Sequence, residues 1–184
     1  MKVLISSCVL GNEVRWNKQG KLNSEVIEWA EQNDIELIPV CPEDELLGTP
    51  RDKIRLIQIE EKTCAHYKNR DIMKELKSKC QEILERHPDA SGFIGIYGSP
   101  TCGISVGVKN LGTVTKGVMH KQCQMPTVES NALRNENNRE IFLRRLSNEA
   151  RRSRSGMCAL DGRRCSRTYW NYIRGASPLR SSMV

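Results

Sequence analysis

Hydrophobic and polar positions follow two different periods along this chain. Short apolar runs, several of them rich in β-branched residues, predict buried strands over residues 3–6, 35–40, 93–96 and 126–128. Stripes of apolar residues at helical spacing predict helices over residues 24–32, 70–87 and 136–146. His87-Pro88 is expected to end the second helix, because a residue before proline avoids helical angles. Alternation over residues 54–59 predicts an edge strand or an extended arm.

Strands and helices alternate in this prediction, which indicates an α/β fold. We expect a single compact three-layer domain with a mainly parallel sheet and helices on both faces. The composition changes abruptly near residue 150, where an Arg- and Ser-rich stretch without apolar periodicity begins. The predicted organisation is therefore an α/β domain over residues 1–149 and a basic tail over residues 150–184 that lies outside the fold. No internal repeat is present.

The formal net charge of +7 belongs to the tail. Residues 150–184 contain eight arginines, no lysine and one acidic residue, whereas residues 1–149 carry 21 basic and 21 acidic side chains. Two interpretations of the tail remain open: a disordered basic segment that contacts RNA, or an extension that is not part of the protein's fold. The neutral domain favours a small substrate, because phosphate contacts need a local basic surface.

Eight cysteines raise the question of a metal site: Cys8, Cys41, Cys64, Cys80, Cys102, Cys123, Cys158 and Cys165. Cys8, Cys41 and Cys102 each follow a predicted strand, and loops at the carboxyl ends of parallel strands meet at one edge of a sheet. None of the spacings is C-x-x-C, which excludes a zinc ribbon or a ferredoxin-type run. Either these thiols surround one bound object, or they are small hydrophobic residues that end buried strands.

Each of the three loops contains further reactive or turn-forming residues. Glu43 follows Cys41 by two positions, and Ser99 precedes Cys102 by three. The pattern therefore brings a carboxylate and a hydroxyl to the same sheet edge as the thiols, which is a composition suited to acid–base or nucleophilic chemistry.

The three loops resemble those of the thiouracil desulfidase family. The matching segments are SSCVLGNEVRW (6–16), PVCPEDELLGTPR (39–51) and GSPTCG (98–103), in that order, and the resemblance continues to residue 146. It covers most of residues 1–149 and none of the tail. One difference concerns substrate contacts, since the family usually has a basic residue before the Ser-Pro-x-Cys-Gly element and this chain has Tyr97-Gly98.

The resemblance implies a compact α/β domain that carries a 4Fe–4S cluster at the carboxyl edge of its strands. Cys8, Cys41 and Cys102 would be its ligands, so one iron would lack a protein ligand. The implied reaction is the non-redox desulfuration of a thiolated pyrimidine, such as 2-thiouracil, to the oxo product with release of sulfide. Glu43 is the expected base that activates water, and Ser99 is expected either to relay a proton or to attack directly.

Other interpretations remain open at this stage. The same cysteines would serve a non-enzymatic iron–sulfur or redox-sensing protein, and the tail would suit a desulfidase that acts on thiolated tRNA. Cys64 and Cys123 are the rival ligands. Arg15, Arg51 and Trp16 are candidate substrate contacts.

The expected location is the cytoplasm. No apolar run approaches 18 residues, and the first 16 residues lack the pattern of a signal peptide. The pattern leaves the oligomeric state open.

Overall fold

The computed structural model of the chain describes residues 1–160, with side chains described up to residue 152. In chain order the strands are β1 (Lys2–Ser6), β2 (Glu36–Val40), β3 (Arg55–Ile59), β4 (Lys62–Tyr67), β5 (Arg70–Asp71), β6 (Ala90–Gly95), β7 (Val106–Lys109), β8 (Val114–Thr115) and β9 (Thr127–Glu129). The helices are α1 (Ser24–Gln32), α2 (Pro42–Leu47), α3 (Met73–Arg86), α4 (Val118–Gln122) and α5 (Glu136–Leu160). Short 3₁₀ turns occupy Ser7–Leu10 and Ala132–Arg134.

The first sheet is the one that the apolar runs predict. Its four strands are all parallel, in the order β2-β1-β6-β9. β1 and β6 lie at the centre, and their residues are almost entirely buried. Because β1 lies between β2 and β6, the carboxyl ends of these three strands are neighbours at one edge of the sheet.

Helices cover both faces of this sheet, as predicted. Successive side chains of a strand point to opposite faces, and Gly92 and Phe93 of β6 illustrate the two sides. A Cβ on Gly92 would lie 2.3 Å from a leucine methyl group of α5, whereas the Phe93 ring lies 5.0 Å from the His120 ring of α4. α1 lies with α5 on the Gly92 face, since Trp29 packs on Phe142 of α5. α3 packs against α4 on the Phe93 face. The α/β fold class is therefore confirmed.

A second sheet has the order β5-β4-β3-β7-β8, which was not predicted. The prediction of an edge strand at residues 54–59 is wrong, because β3 pairs with β4 on one side and with β7 on the other. The alternation of apolar and polar residues does correspond to burial, since Leu56 is buried and Arg55 is exposed. A strand that is covered on one face alternates in this way whether or not both of its edges are paired.

Two helices begin at positions that differ from the predictions. α2 begins directly after Cys41, in a segment expected to be a loop, because Pro42 fits the first turn of a helix. α3 begins at Met73 rather than at residue 70, since the Asp71 carboxylate accepts the Met73 N–H and Arg70–Asp71 pairs as β5. α3 ends at Arg86, before His87-Pro88, as predicted.

The last helix continues beyond its predicted end at residue 146. α5 spans Glu136–Leu160, and its buried side chains include Phe142 and Leu146. Contacts divide the chain into Met1–Ala150 and Arg151–Val184, and the placement of residues 150–184 outside the fold remains a prediction. Predictions about residues 161–184 concern a segment outside the described residues. No described helix is long and apolar enough to cross a membrane.

Candidate functional site

Three loops from neighbouring strands carry the predicted cysteines. Cys8 lies in the 3₁₀ turn after β1, which Gly11 closes with a φ of +92°. Cys41 follows β2 and caps α2 at its N-terminus. Cys102 follows β6 after a turn in which Gly98 has a φ of +75°. Both glycine angles are in the left-handed region that other residues rarely adopt, so the local sequence favours these turns.

All five predicted site residues line one cavity of about 290 Å³ at this sheet edge: Cys8, Cys41, Glu43, Ser99 and Cys102. Cys8 and Cys102 are buried and Cys41 is half-buried. Of the rival cysteines, Cys64 lies within β4 of the second sheet and Cys123 follows α4, and neither lines this cavity. The fold thus brings together the three thiols that the strand-end argument selected.

The environment of the thiols disfavours their charged form. Burial raises the pKa of Cys8, and it raises the pKa of Cys41 to about 12. Burial also raises the pKa of Cys102 well above its usual value, and the nearby Cys41 adds to this effect. Desolvation thus disfavours the thiolate form at all three positions, and a bound cation would be needed to stabilise thiolates there.

Glu43 is held by hydrogen bonds to both of its carboxylate oxygens. Arg51 Nη2 donates to Glu43 Oε2 at 3.0 Å. Oε1 accepts two hydroxyl groups, from Thr101 Oγ1 at 2.8 Å and from Ser99 Oγ at 3.2 Å. The carboxylate predicted as a base and the hydroxyl predicted as a proton relay or nucleophile are therefore in direct contact.

Ser99 is arranged to carry negative charge on its oxygen. Its Oγ accepts the backbone N–H of Thr101 at 3.3 Å and that of Cys102 at 3.1 Å, while its own proton points to Glu43. Two N–H donors aimed at one oxygen stabilise a developing oxyanion. The Glu43–Ser99 pair can thus move a proton from a hydroxyl to a carboxylate.

Arg51 joins the first loop to the second. Its Nη1 donates to the carbonyl oxygens of Val14 at 2.9 Å and Gly48 at 3.0 Å, and to Thr49 Oγ1 at 2.9 Å. The side chain is only 2% exposed. The planar guanidinium can satisfy several acceptors at fixed angles, so Arg51 stabilises the relative position of the loops and of Glu43. The sequence pattern had placed it only among possible substrate contacts.

Comparisons with known proteins find a matching family and a similar solved structure. The sequence profile of 2-thiouracil desulfurase matches residues 3–131. The chain belongs to this family. A solved structure described as the 4Fe–4S-dependent thiouracil desulfidase TudS is similar to it in fold, with 19% identity and a TM-score of 0.59 over 72% of this chain and 93% of that one. A search among curated proteins finds no match.

The matched region contains all five predicted site residues of this desulfurase-family chain. It also contains Thr101, which the sequence pattern did not single out. Thr101 carries no signal of its own in the sequence, because threonine is common in turns. Its role depends on a contact with Glu43, which is 58 positions away along the chain.

Two aromatic side chains lie at the mouth of the cavity of this family member. Trp16 and Tyr97 line it and are 37% and 60% exposed. The Lys53 ammonium group lies 4.1 Å from the centre of the Trp16 ring, a distance typical of a cation–π contact. Lys53 therefore supplies a positive charge at the same cavity mouth as these two aromatic side chains.

A second cavity adjoins the first and is markedly basic. Trp16, Arg51 and Lys53 line both cavities. The second cavity adds three basic or titratable side chains and one acid: Arg55, His66, Lys68 and Asp52. The domain is neutral in sum, yet positive charge is concentrated next to the candidate site.

Proposed function

We propose that the protein removes the sulfur atom from a thiolated pyrimidine by hydrolysis, with 2-thiouracil as the simplest substrate. The observation that carries the proposal is that three thiols and a hydrogen-bonded Glu43–Ser99 pair share one cavity. Family membership supports the reaction class, and the fold similarity to a 4Fe–4S-dependent desulfidase supports an iron–sulfur cofactor.

The chemistry of the cavity fits a 4Fe–4S cluster held by Cys8, Cys41 and Cys102. No group of three His, Cys, Asp or Glu side chains within the described residues is arranged around a single metal ion. A cluster makes a different demand, because each ligand binds a different iron. The buried Ser6 hydroxyl, 2% exposed, lines the same cavity and donates to the Cys102 sulfur, which counteracts part of the rise in the Cys102 pKa. A donor in that position suits a cluster sulfur atom.

With three cysteine ligands one iron stays open, and when bound the cluster supplies a soft Lewis acid for the substrate sulfur. The remaining chemistry belongs to the protein's side chains. The overall change replaces C=S by C=O, consumes one water and releases hydrogen sulfide, so no electrons are exchanged with another reactant. Glu43 accepts the proton of the attacking oxygen, which belongs either to water or to Ser99.

Arg51 and the backbone donors position the groups that take part in this proton transfer. The Arg51 guanidinium group lies 3.0 Å from Glu43 Oε2 and fixes the carboxylate beside Ser99. The Thr101 and Cys102 N–H groups stabilise charge on Ser99 Oγ. If Ser99 attacks, water must release it in a second step, and a covalent intermediate accumulates when that step is slow.

Replacement of one proposed ligand tests the cofactor assignment. Cys41→Ala is expected to lose the cluster, measured as iron and acid-labile sulfide per chain after anaerobic reconstitution, and to release no sulfide from 2-thiouracil. Cys123→Ala is the matched control, because Cys123 is half-buried but lies outside the cavity. A Cys41→Ala protein with full cluster content and activity would show that the ligand assignment is wrong.

The catalytic pair separates an enzyme from a passive iron–sulfur protein. Glu43→Gln and Ser99→Ala are expected to keep the cluster and to reduce sulfide release by about 10²-fold or more, as loss of a positioned acid–base group does. Wild-type protein that holds the cluster but converts no thiolated pyrimidine would favour the non-enzymatic alternative.

The second cavity favours a second candidate substrate, in which the thiolated base carries phosphate, as in a nucleotide or a tRNA. Lys53, Arg55 and Lys68 lie beside the proposed reaction site, and phosphate recognition needs such local charge. The test compares a thiolated nucleoside with its 5′-monophosphate. Lys53→Met is expected to raise KM for the 5′-monophosphate by about tenfold and to leave KM for the nucleoside unchanged. Equal effects on both substrates would remove this candidate.

A further inference from the structure

The Glu43 carboxylate has more hydrogen-bond partners than the proposed reaction uses. Proton transfer needs only the contact with Ser99, and Arg51 supplies the opposite charge. Thr101 Oγ1 makes a third bond at 2.8 Å, which is shorter than the Ser99 bond and ends on the same oxygen, Oε1. Thr101 is fully buried and does not line the cavity, so it does not touch a substrate there.

Thr101 is itself fixed by its backbone. Its carbonyl oxygen accepts the Met119 N–H of α4 at 2.9 Å. Its N–H donates to Ser99 Oγ at 3.3 Å. Gly117 approaches so closely that a Cβ there would lie 2.5 Å from the Thr101 carbonyl oxygen. The threonine hydroxyl therefore occupies a position that α4 and the Ser99 turn determine together.

A glutamate on the surface of a short helix would sample several rotamers, and each would move its carboxylate relative to Ser99. Arg51 restrains Oε2, and without Thr101 the position of Oε1 would depend on the longer Ser99 bond alone. The shorter bond from Thr101 fixes Oε1 so that it faces Ser99 Oγ. A displacement of about 1 Å at such a contact can reduce the rate of a reaction about 100-fold.

We propose that Thr101 is a positioning residue, whose hydroxyl holds Oε1 of Glu43 in line with Ser99 Oγ. The inference rests on the proposed function for its catalytic consequence. The hydrogen bond itself does not depend on that function, and the experiment measures the two separately.

The activity test uses three replacements at one position in the cluster-loaded protein. Thr101→Val keeps the side-chain shape and loses the hydroxyl, Thr101→Ser keeps the hydroxyl, and Thr101→Ala serves if the valine variant does not fold. Valine or alanine is expected to lower kcat by about tenfold with KM within about twofold. Serine is expected to retain kcat within about threefold. Iron content and Tm verify that loading and folding are unchanged.

A spectroscopic test needs neither substrate nor cluster. The infrared carboxylate band that disappears in Glu43→Gln reports the hydrogen bonding of Glu43. It is expected to shift in Thr101→Val and to stay in place in Thr101→Ser. If the wild-type protein converts no thiolated pyrimidine, the proposed function fails, and this band alone decides whether Thr101 positions Glu43.

Two results would overturn the inference. Thr101→Val with an unchanged infrared band would mean that the hydroxyl does not hold Glu43. A serine variant as slow as the valine variant would mean that the threonine methyl group, and hence packing, accounts for the loss.

Discussion

Gly95 at the end of β6 supports the backbone of Cys102, and Gly95→Ala is expected to destabilise the cluster-free protein strongly. The new Cβ would lie 1.9 Å from the Cys102 carbonyl oxygen and 2.5 Å from His120 Nε2. That oxygen would have to retreat by about 1 Å, yet it accepts hydrogen bonds from the Ile96 N–H at 3.1 Å and from His120 Nε2 at 2.9 Å.

The magnitude follows from these contacts. Two hydrogen bonds contribute about 1 kcal/mol each, and overpacking of a tight site costs about 1–3 kcal/mol more. The free energy of unfolding should therefore fall by about 3–5 kcal/mol. For a chain of this size that lowers Tm by about 6–20 °C. Urea titration followed by circular dichroism measures the free energy, and differential scanning calorimetry measures Tm.

Gly107 provides the matched control. It also lies in a strand, β7, but a Cβ there would meet nothing within 4 Å and its φ is not positive. Gly107→Ala should leave the free energy of unfolding unchanged or slightly increased, because alanine reduces the freedom of the unfolded chain. If Gly95→Ala unfolds within about 1 kcal/mol of Gly107→Ala, the close approach of β6 to Cys102 is not what shapes this loop.

Three further outcomes are expected. Gly92→Ala should cost about 1–2 kcal/mol, less than Gly95→Ala, because the atom nearest to its new Cβ is the movable end of Leu146 at 2.3 Å and the nearest backbone atom lies at 3.2 Å; urea titration compares the two. Arg51→Lys should lower kcat by about tenfold or more and also lower Tm, because one ammonium group cannot donate hydrogen bonds to both loops and to Glu43. Steady-state kinetics measures the first effect and calorimetry the second. Cluster loading should raise Tm of the wild-type protein and not of Cys41→Ala, because only a group bound to the native state stabilises it; anaerobic calorimetry measures the difference.

The positions of the three cysteines could be predicted because they depend on a general rule of parallel sheets. Apolar runs identified β1, β2, β6 and β9, and the ends of neighbouring parallel strands necessarily meet. Cys8, Cys41 and Cys102 follow three adjacent strands, so their approach required no knowledge of side-chain packing. Glu43 and Ser99 could be placed at the same sheet edge because they are near neighbours of Cys41 and Cys102 in the chain.

The second sheet could not be predicted in the same way. β5 and β8 contain only two residues each, which is too short for a periodic pattern. β3 pairs in parallel with β7 across about 50 residues, and no local feature marks that pairing. β3 places the buried Leu56 next to the exposed Arg55, as any half-covered strand does, so its sequence is compatible with an edge or a central position.

The contacts of Arg51 and Thr101 depend on tertiary geometry. Arg51 reaches the Val14 carbonyl oxygen across 37 positions of the chain, and Thr101 reaches Glu43 across 58. A loop arginine and a turn threonine are ordinary residues in sequence. Only the burial of both side chains at the Glu43 carboxylate distinguishes them from solvated neighbours.

The net charge of the domain does not indicate the charge around the candidate site. Residues 1–149 are neutral overall, which favoured a small substrate when the sequence alone was considered. Electrostatic interactions at physiological salt decay over about 8 Å, so a substrate responds to the charges near the cavity and not to the total. Lys53, Arg55 and Lys68 adjoin the cavity, with Asp52 as the acid beside them. Concentrated charge in a neutral domain attracts an anionic substrate at its site of reaction without making the rest of the surface attractive to it.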